Sequence, residues 1–382
     1  MASQEQSTPE LRTVDQLIHA GEWDLVREFY ENHPESIVGY KDARGATALH
    51  TFCHISSTPI SLFEYVADTW AEALTMQENR FGATPLHVLC WSSQRSRRKV
   101  EILLARMKPS DLMIRNRVLG STPLHSACGN NAELPVIKAI VRKHPPVLLA
   151  KTYDQQGTAI SAVWHTHVQT IPGHMQIAHI LNGDTVESEH FDRFWNKCTF
   201  LAMYSFKMSA ACPPHLAEKD GFEDEQVERE LSKYVVHGLL DMKAPLNMLK
   251  TAVKLNPDWA KVADFDGNYP LHHVVMRRPF RVKDVELIRE LLQAYPEAAS
   301  KRNKAGDLPL HIAIRDRMVW EEGLGEIVKA NPEALSVVDA HSNLYPFLFA
   351  ASLGGKVAVN TTFQLLLVKP HLVKDATGST ME

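Results

Sequence analysis

Short amphipathic segments recur along most of the chain, and polar turns separate them. Apolar residues lie three or four positions apart in segments such as 100–107 and 285–292, which is the spacing that one face of an α-helix requires. Pro109 and Pro296 follow these two segments closely, and proline disfavours the helical conformation at the residue before it. The pattern therefore predicts an all-α chain of short helices.

One phrase recurs in the turns: an aspartate or asparagine, two residues, a glycine, two further residues, and then Pro-Leu-His or a close relative of it. Clear copies lie at 42–50, 79–87, 120–125, 264–272 and 303–311, and decayed copies lie at 154–160 and 339–346. Gly45 is followed after 37 residues by Gly82 and after a further 38 residues by Gly120. Such regular spacing with the same flanking residues indicates an internal repeat.

Each residue type in the phrase has a structural reason. Glycine accepts a positive φ in a tight turn, threonine is a good N-cap, and proline fits the first helical position. Leucine then begins the buried face, and we expect histidine to tie adjacent turns together by hydrogen bonds. The sequence assigns this structural role to Gly45, Thr47, His50, Gly82, Thr84, His87, Gly120, Thr122, His125, Gly267, His272, Gly306 and His311.

Thr-Pro-Leu-His after a turn glycine, at 84–87 and 122–125, resembles the hallmark of ankyrin repeats. The resemblance covers residues 12–370 and implies that each repeat has a turn, the finger, and two antiparallel helices that stack on the next repeat. The repeats are longer than the ~33 residues usual for ankyrin, and in this they resemble the divergent ankyrin proteins abundant in diatoms and related algae. The expected fold is an ankyrin-type helical solenoid of about eight to nine helix pairs with short fingers and one insertion.

The regular spacing is interrupted between Gly157 and Gly267, which are 110 residues apart. This stretch contains an apolar helix predicted over 191–204, an acidic loop over 218–230, and a predicted helix pair over 226–242 and 245–256 that lacks the repeated phrase. The apolar helix either begins a further repeat or packs across the stack as an insertion, and the sequence leaves both arrangements open. The predicted organisation is a disordered tail (1–12), repeats with an amino-terminal cap (13–182), an insertion with one helix (183–225), repeats with a carboxy-terminal cap (226–372) and a disordered tail (373–382).

Composition limits the classes of function. The 382 residues carry a net charge of −4, and 45% are hydrophobic and 23% charged, which excludes a strongly basic nucleic-acid-coating protein and wholesale disorder. No apolar run is long enough to predict a membrane span, and the first residues do not have the basic and apolar regions of a secretory signal. Five scattered cysteines do not indicate a disulfide framework, so we expect the cytoplasm or nucleus. Separately, we expect a monomer.

Candidate catalytic and metal-ligating residues are few. His-x-x-Cys occurs three times, ending at Cys53, Cys90 and Cys128, but equivalent positions in stacked helices lie about 8–10 Å apart, which is too far for one zinc ion. The sequence has no phosphate-binding loop, hydrolase, metalloprotease or kinase motif. We therefore expect no enzyme activity, metal or cofactor. Four further candidates, in the insertion, lack any recognised zinc spacing: His190, Cys198, Cys212 and His215.

The resemblance implies a protein-interaction scaffold, because ankyrin stacks bind partners on a concave surface formed by their fingers and first helices. The positions that vary in the family flank the turn glycine and end the first helix. Aromatic, arginine and methionine side chains at such positions suit a binding hot spot. Carried onto this chain, the partner-binding positions are Arg80, Phe81, Trp91, Val118, Leu119, Phe265, Met276, Arg277, Lys304 and Arg315.

A basic cluster supports an alternative hypothesis of anion or nucleic-acid binding. Residues 95–117 contain only two acidic side chains, Glu101 and Asp111. A solvated loop between helices is the favoured interpretation, since no aromatic residues interleave as single-strand binding requires. Steep salt dependence would distinguish nucleic-acid binding from an apolar protein interface. The Arg95–Arg117 cluster consists of Arg95, Arg97, Arg98, Lys99, Arg106, Lys108, Arg115 and Arg117.

Overall fold

The computed structural model describes residues 14–92, 96–154, 157–219, 224–277 and 284–373. The chain divides into two compact units, Met1–Ala162 and Val163–Glu382. The predicted amino-terminal tail (1–12) lies outside the described residues, and so does the predicted carboxy-terminal tail except for Val373.

Throughout the described ranges the chain forms α-helices and no β-strand, so the all-α prediction is confirmed. None of these helices is long and apolar enough to cross a lipid bilayer. The helices are α1 (Val14–Ala20), α2 (Trp23–Asn32), α3 (Ala48–His54), α4 (Ile60–Thr69), α5 (Pro85–Trp91), α6 (Arg97–Arg106), α7 (Pro123–Gly129), α8 (Leu134–Lys143), α9 (Ala159–Val168), α10 (Ile171–Asn182), α11 (Glu189–Lys207), α12 (Pro214–Ala217), α13 (Glu225–Leu231), α14 (Val235–Asp241), α15 (Leu246–Leu255), α16 (Pro270–Met276), α17 (Asp284–Ala294), α18 (Pro309–Arg315), α19 (Leu324–Ala330), α20 (Pro346–Ser352) and α21 (Lys356–Val368). Short 3-10 helices span Pro34–Ser36, Ala71–Leu74, Pro109–Met113, Pro145–Leu149, Ser232–Tyr234, Pro257–Lys261, Pro296–Ser300, Trp320–Glu322 and Pro332–Ser336.

In the first unit the helices pack as consecutive pairs, and the pairs pack on one another. The first helices of the pairs, α3, α5 and α7, lie side by side in one row. The second helices, α4, α6 and α8, lie side by side in another row. Two helices therefore follow each of Gly45, Gly82 and Gly120, as the sequence predicts.

The Pro-Leu-His phrase begins the first helix of a pair. Before α5, Thr84 has an extended backbone, Pro85 takes the first helical position, and Leu86 is fully buried. Leu124 has the same place in α7 and is also fully buried. Burying a leucine side chain contributes about 1.5–3 kcal/mol, so these leucines fix which side of the first helix faces the core.

The second unit has two rows of helices as well. The first helices α14, α16, α18 and α20 form one row, and α10, α15, α17 and α19 form the other. The long helix α11 packs along α14. This close approach depends on Gly238, because a Cβ there would lie 1.9 Å from the carbonyl oxygen of Ala202 in α11.

The acidic loop predicted over 218–230 overlaps the helix predicted over 226–242, and α13 shows that the helix prediction holds for the shared residues and the loop prediction does not. Asp224 caps α13, since its carboxylate accepts hydrogen bonds from the backbone N–H groups of Gln226 and Val227. Val227 and Leu231 are buried. Because these two apolar residues are four positions apart, they can be buried on one face of a helix, while the acidic residues of the segment lie on its exposed face. Residues 220–223 of this segment lie outside the described residues.

Candidate functional site

A threonine and the histidine three residues after it connect successive helix pairs. At the start of α5, the backbone N–H of Thr84 donates to Nδ1 of His87 at 3.2 Å, and the Thr84 hydroxyl lies 2.8 Å from the same atom. Nε2 of His87 donates to the carbonyl oxygen of Ser121, in the next finger, at 2.9 Å. These bonds tie one turn to the next. The other histidines of the phrase in the first unit make the same tie, His50 to Ala83 at 3.0 Å and His125 to Gly157 at 3.3 Å.

These ties require neutral imidazole rings. Because Nε2 carries the proton that it donates, Nδ1 accepts the threonine N–H and carries no proton. Burial lowers the pKa of His87 to about 4, and it also lowers the pKa of His50 and that of His125. With both nitrogens bonded within the fold, these rings serve the structure and do not present an open position to a substrate or a metal.

An acidic or amide side chain closes each of the fingers that precede α3, α5 and α7. The carboxylate of Glu78 accepts hydrogen bonds from the backbone N–H groups of Arg80 and Phe81 at 2.7 Å and of Ala83 at 3.0 Å. Burial alone would raise the pKa of Glu78, but these bonds hold that pKa below its usual range. In the adjacent fingers the same closure is made by Asp42 and Asn116.

The sequence phrase opens this turn at Asn79, whereas in the structure it opens one residue earlier, because the N–H of Gly82 donates to the carbonyl oxygen of Glu78 at 3.0 Å. The finger is one residue longer than the phrase suggests, so Glu78 closes it. The side chain of Asn79 covers the preceding finger instead, where a Cβ on Gly45 would lie 2.6 Å from Nδ2 of Asn79. The backbone N–H of Asn79 donates to the carbonyl oxygen of Arg44 at 2.6 Å.

The turn glycines make room for the next finger along the chain. Gly82 has a φ of +64°, and a Cβ there would lie 2.3 Å from Cγ of Arg117. The N–H of Arg117 donates to the carbonyl oxygen of Phe81 at 2.8 Å. In the same way, a Cβ on Gly120 would lie 2.6 Å from the ring of Tyr153. The fingers therefore form a ladder in which backbone bonds and covering side chains hold each finger to its neighbour.

Apolar side chains are exposed along this ladder. Val118 and Leu119 are 59% and 62% exposed, Tyr153 is 57% exposed and Phe81 is 38% exposed. Singly exposed apolar residues are common on proteins, whereas neighbouring ones mark interaction surfaces. We call this surface the finger row, and it consists of Arg44, Arg80, Phe81, Arg117, Val118, Leu119 and Tyr153.

Phe81 is at the centre of a group of three predicted partner-binding residues. The ring of Trp91, at the end of α5, meets the Phe81 ring edge-on with centroids 5.8 Å apart. The guanidinium carbon of Arg80 lies 4.7 Å from the centre of the Phe81 ring. Trp91 is partly exposed. The structure thus brings Arg80, Phe81 and Trp91 together on one surface of the first unit.

In the second unit, two of the predicted partner-binding residues touch. Nζ of Lys304 lies 3.8 Å from the centre of the Phe265 ring, which is 43% exposed. Met276 is exposed at the end of α16, and Arg277 follows it partly exposed. The neighbouring fingers are linked here too, because the N–H of Lys304 donates to the carbonyl oxygen of Asp266 at 2.8 Å.

Arg315, the fifth predicted residue of this unit, belongs to a salt-bridge network. Its guanidinium donates to Asp307 at 2.7 and 2.9 Å and to Asp339 at 3.0 Å. Atoms of Asp307, Asp339 and His311 lie within 4.8 Å of one another, as the ligands of a metal ion would. However, Arg315 already neutralises the carboxylates, and Nε2 of His311 donates to the carbonyl oxygen of Val337 at 3.1 Å. This geometry favours a structural network over both a metal centre and a partner contact by Arg315.

Lys99 does not belong to an exposed basic surface. It is 1% exposed, and Nζ donates to the carbonyl oxygens of Phe52 and Ile55 at 3.1 and 2.8 Å. Ile55 directly follows α3, so the ammonium group satisfies carbonyls at the carboxy-terminal end of that helix. Burial lowers the pKa of Lys99. The sequence pattern could not distinguish this inward lysine from its exposed neighbours.

Most other members of the Arg95–Arg117 cluster have partners within the chain. Arg106 donates to Asp68 at 2.8 Å and to Glu64 at 3.2 Å. Arg95 lies outside the described residues. The geometry therefore does not favour anion binding by the cluster as a whole. The remaining bonded members are Arg97 and Arg98, which pair with Glu101, and Arg115, which donates to the carbonyl oxygen of Lys151.

The four metal candidates of the predicted insertion lie in different surroundings. Cys198 and Cys212 are buried, and burial raises the pKa of Cys212 to about 11. The ring of His190 stacks on the ring of His167, with centroids 5.2 Å apart. Nε2 of His215 lies 3.4 Å from a carboxylate oxygen of Glu230. Within the described ranges, three side chains with histidine, cysteine or carboxylate ligand atoms lie close enough to hold one metal ion only at Asp307, His311 and Asp339.

The sequence phrase missed one tying histidine, His237 in α14. This residue is fully buried, and its Nε2 lies 3.2 Å from the carbonyl oxygen of Asn268. Asn268 follows the turn glycine Gly267, just as the acceptors of His50 and His87 follow their own turn glycines. The threonine, proline and turn glycine are missing before His237. The only sequence signal for this tie was that Val235 and Val236 directly precede His237 at the start of a helix.

No protein-family model matches this chain, and a comparison with curated proteins gives no significant match. The geometry of the finger row therefore carries the functional argument.

Proposed function

We propose that this chain is an ankyrin-type repeat protein that binds another protein through the finger row. The family assignment is supported by the repeated phrase, whose threonine and histidine make the same contacts in successive helix pairs. The two rows of helices within each unit are compatible with a stack of repeats. His50, His87 and His125 are buried and bonded within the fold, which favours a scaffold or adaptor over an enzyme.

The exposed apolar group formed by Phe81, Val118 and Leu119 is the observation that carries this proposal. The three side chains lie on adjacent fingers that backbone hydrogen bonds hold together. A rigid surface loses little conformational freedom on binding, so less of the interaction energy is lost to ordering. Phe81, Trp91 and Arg80 add the aromatic and arginine side chains in which binding hot spots are enriched.

Site-specific photocrosslinking tests the proposal. A photoreactive amino acid at Leu119 samples the finger row, and the same amino acid at Ala105, exposed on α6, samples the row of second helices. We expect one reproducible protein adduct from Leu119 in a cell extract and no such adduct from Ala105. Adducts of the same protein at equal yield from both positions, or from Ala105 alone, would place the binding surface elsewhere.

A further inference from the structure

We infer that the protein segment held by the finger row is acidic as well as apolar. This inference rests on the proposed function and adds the chemical class of the partner. It comes from the way in which the fingers of the first unit separate their own charges. In the fingers that precede α3, α5 and α7, the acidic side chains fold inward into the turns, whereas the basic side chains remain on the surface.

The acidic side chains that close two fingers accept hydrogen bonds from backbone N–H groups. Glu78 is 7% exposed and accepts three backbone hydrogen bonds, as described above. One carboxylate oxygen of Asp42 accepts from the N–H groups of Arg44 and Ala46, both at 2.8 Å. In the third finger the same position is the uncharged Asn116. These carboxylates therefore have little capacity to attract a basic partner.

The arginines of the same fingers point to solvent. Arg80 and Arg117 are exposed, and neither forms an ion pair with a carboxylate of the described residues. The side chain of Arg44 is 67% exposed, and among the described residues its ion-pair partner is Asp42, at 3.2 Å. Lys41 is a further exposed basic residue at the start of the first finger. The finger row consequently presents a positive edge on a protein whose net charge is −4.

The apolar members of the finger row favour a protein partner over a nucleic acid. Val118 and Leu119 are aliphatic and more than half exposed, and they follow Arg117 directly in the chain. Nucleic acids bind through phosphate contacts and through base stacking on aromatic rings. Phe81 and Tyr153 supply such rings, but Val118 and Leu119, the most exposed apolar side chains of the finger row, are aliphatic and offer no stacking face. A segment with aspartate or glutamate beside large apolar residues satisfies the arginines and the apolar group together.

Selection of random displayed peptides on the full chain tests the inference. Enriched peptides are synthesised with a fluorescent label and titrated against the native chain, against Arg80→Glu/Arg117→Glu, and against Phe81→Ala/Leu119→Ala. The matched control is Arg97→Glu/Arg98→Glu, which makes the same change of charge on α6, where both side chains are similarly exposed. A mixed-sequence single-stranded oligonucleotide is titrated alongside, and thermal unfolding verifies each variant.

We expect the enriched peptides to be net negative and to contain aromatic or large aliphatic residues. Their affinity should fall about tenfold or more in Arg80→Glu/Arg117→Glu and less than about twofold in the control. Affinity for the native chain should also fall as salt is raised, which tests the charge without a substitution.

The contradicting outcomes separate the two proposals. Neutral or basic peptides that lose binding in Phe81→Ala/Leu119→Ala but not in Arg80→Glu/Arg117→Glu would overturn the acidic partner and leave the finger row in place. Peptides that bind Phe81→Ala/Leu119→Ala unchanged, or a selection with no enrichment, would overturn both. An oligonucleotide that binds more tightly than every peptide and loses binding in Arg80→Glu/Arg117→Glu would assign the surface to nucleic acid.

Discussion

Histidine residues join successive helix pairs, and their protonation state decides whether they can do so. His87 accepts the Thr84 N–H at Nδ1 and donates from Nε2 to the next finger. A second proton on the ring would place two donors face to face. The sequence predicts this role from the recurrence of the phrase. It could not reveal Glu78 as the residue that closes the finger, because the phrase does not show that the finger is longer by one residue.

Stability should therefore fall in mild acid. An unfolded histidine has a pKa near 6.5, while burial lowers the pKa of His87 to about 4. Between these values the unfolded chain binds a proton that the folded ring excludes, so the contribution is complete above pH 6.5 and is lost as the pH falls. We expect the free energy of unfolding, measured with urea, to fall between about pH 6.5 and 5 by up to about 1.4 kcal/mol per pH unit for each such histidine.

Two variants isolate the contribution of the ring. His87→Gln should show a shallower pH dependence than the native chain. His54→Gln, at an exposed position of α3, should keep the native slope. An unchanged slope in His87→Gln would mean that His87 is not held neutral by the fold.

Helices were easier to predict than the contacts between them. The spacing of apolar residues predicts α5, α6, α7 and α8 because each helix buries one face. The contact of α11 with α14 could not be predicted, since it depends on Gly238 allowing a backbone approach rather than on a periodic pattern. The predicted acidic loop extended over α13 because acidic residues dominate the composition there, whereas the helix predicted over 226–242 was confirmed because Val227 and Leu231 at helical spacing decide the structure.

The turn glycines of the fingers should be required both for their positive φ and for the space that the next finger occupies. Gly82 and Gly39 both have a positive φ, but a Cβ on Gly82 meets Arg117, whereas a Cβ on Gly39 meets nothing within 4 Å. We expect Gly39→Ala to lower the free energy of unfolding by about 1–2 kcal/mol, the usual cost of that conformation. Gly82→Ala should lower it further, because the next finger must move. Equal losses in urea unfolding would show that the fingers are not packed on one another.

Over the whole molecule, the basic and apolar residues that the sequence marks for binding separate into two classes. Lys99, Arg106 and Arg315 make bonds within the fold, so their charge is used internally. Phe81 and Leu119 remain on the surface beside exposed arginines. Sequence alone could not separate these classes, because an arginine that faces a carboxylate and an arginine that faces solvent have the same local pattern.

Calorimetric titration of the crosslinked partner against the native chain and Phe81→Ala/Leu119→Ala tests the central claim most directly. Both side chains are exposed, so the melting temperature should stay nearly unchanged. The control is Leu25→Ala on α2, because Leu25 is an apolar residue whose exposure of 46% lies between those of Phe81 and Leu119. We expect the double variant to lose about 2 kcal/mol or more of binding free energy, as truncation of a hot spot does, while Leu25→Ala binds like the native chain. Native affinity in the double variant would contradict binding at the finger row.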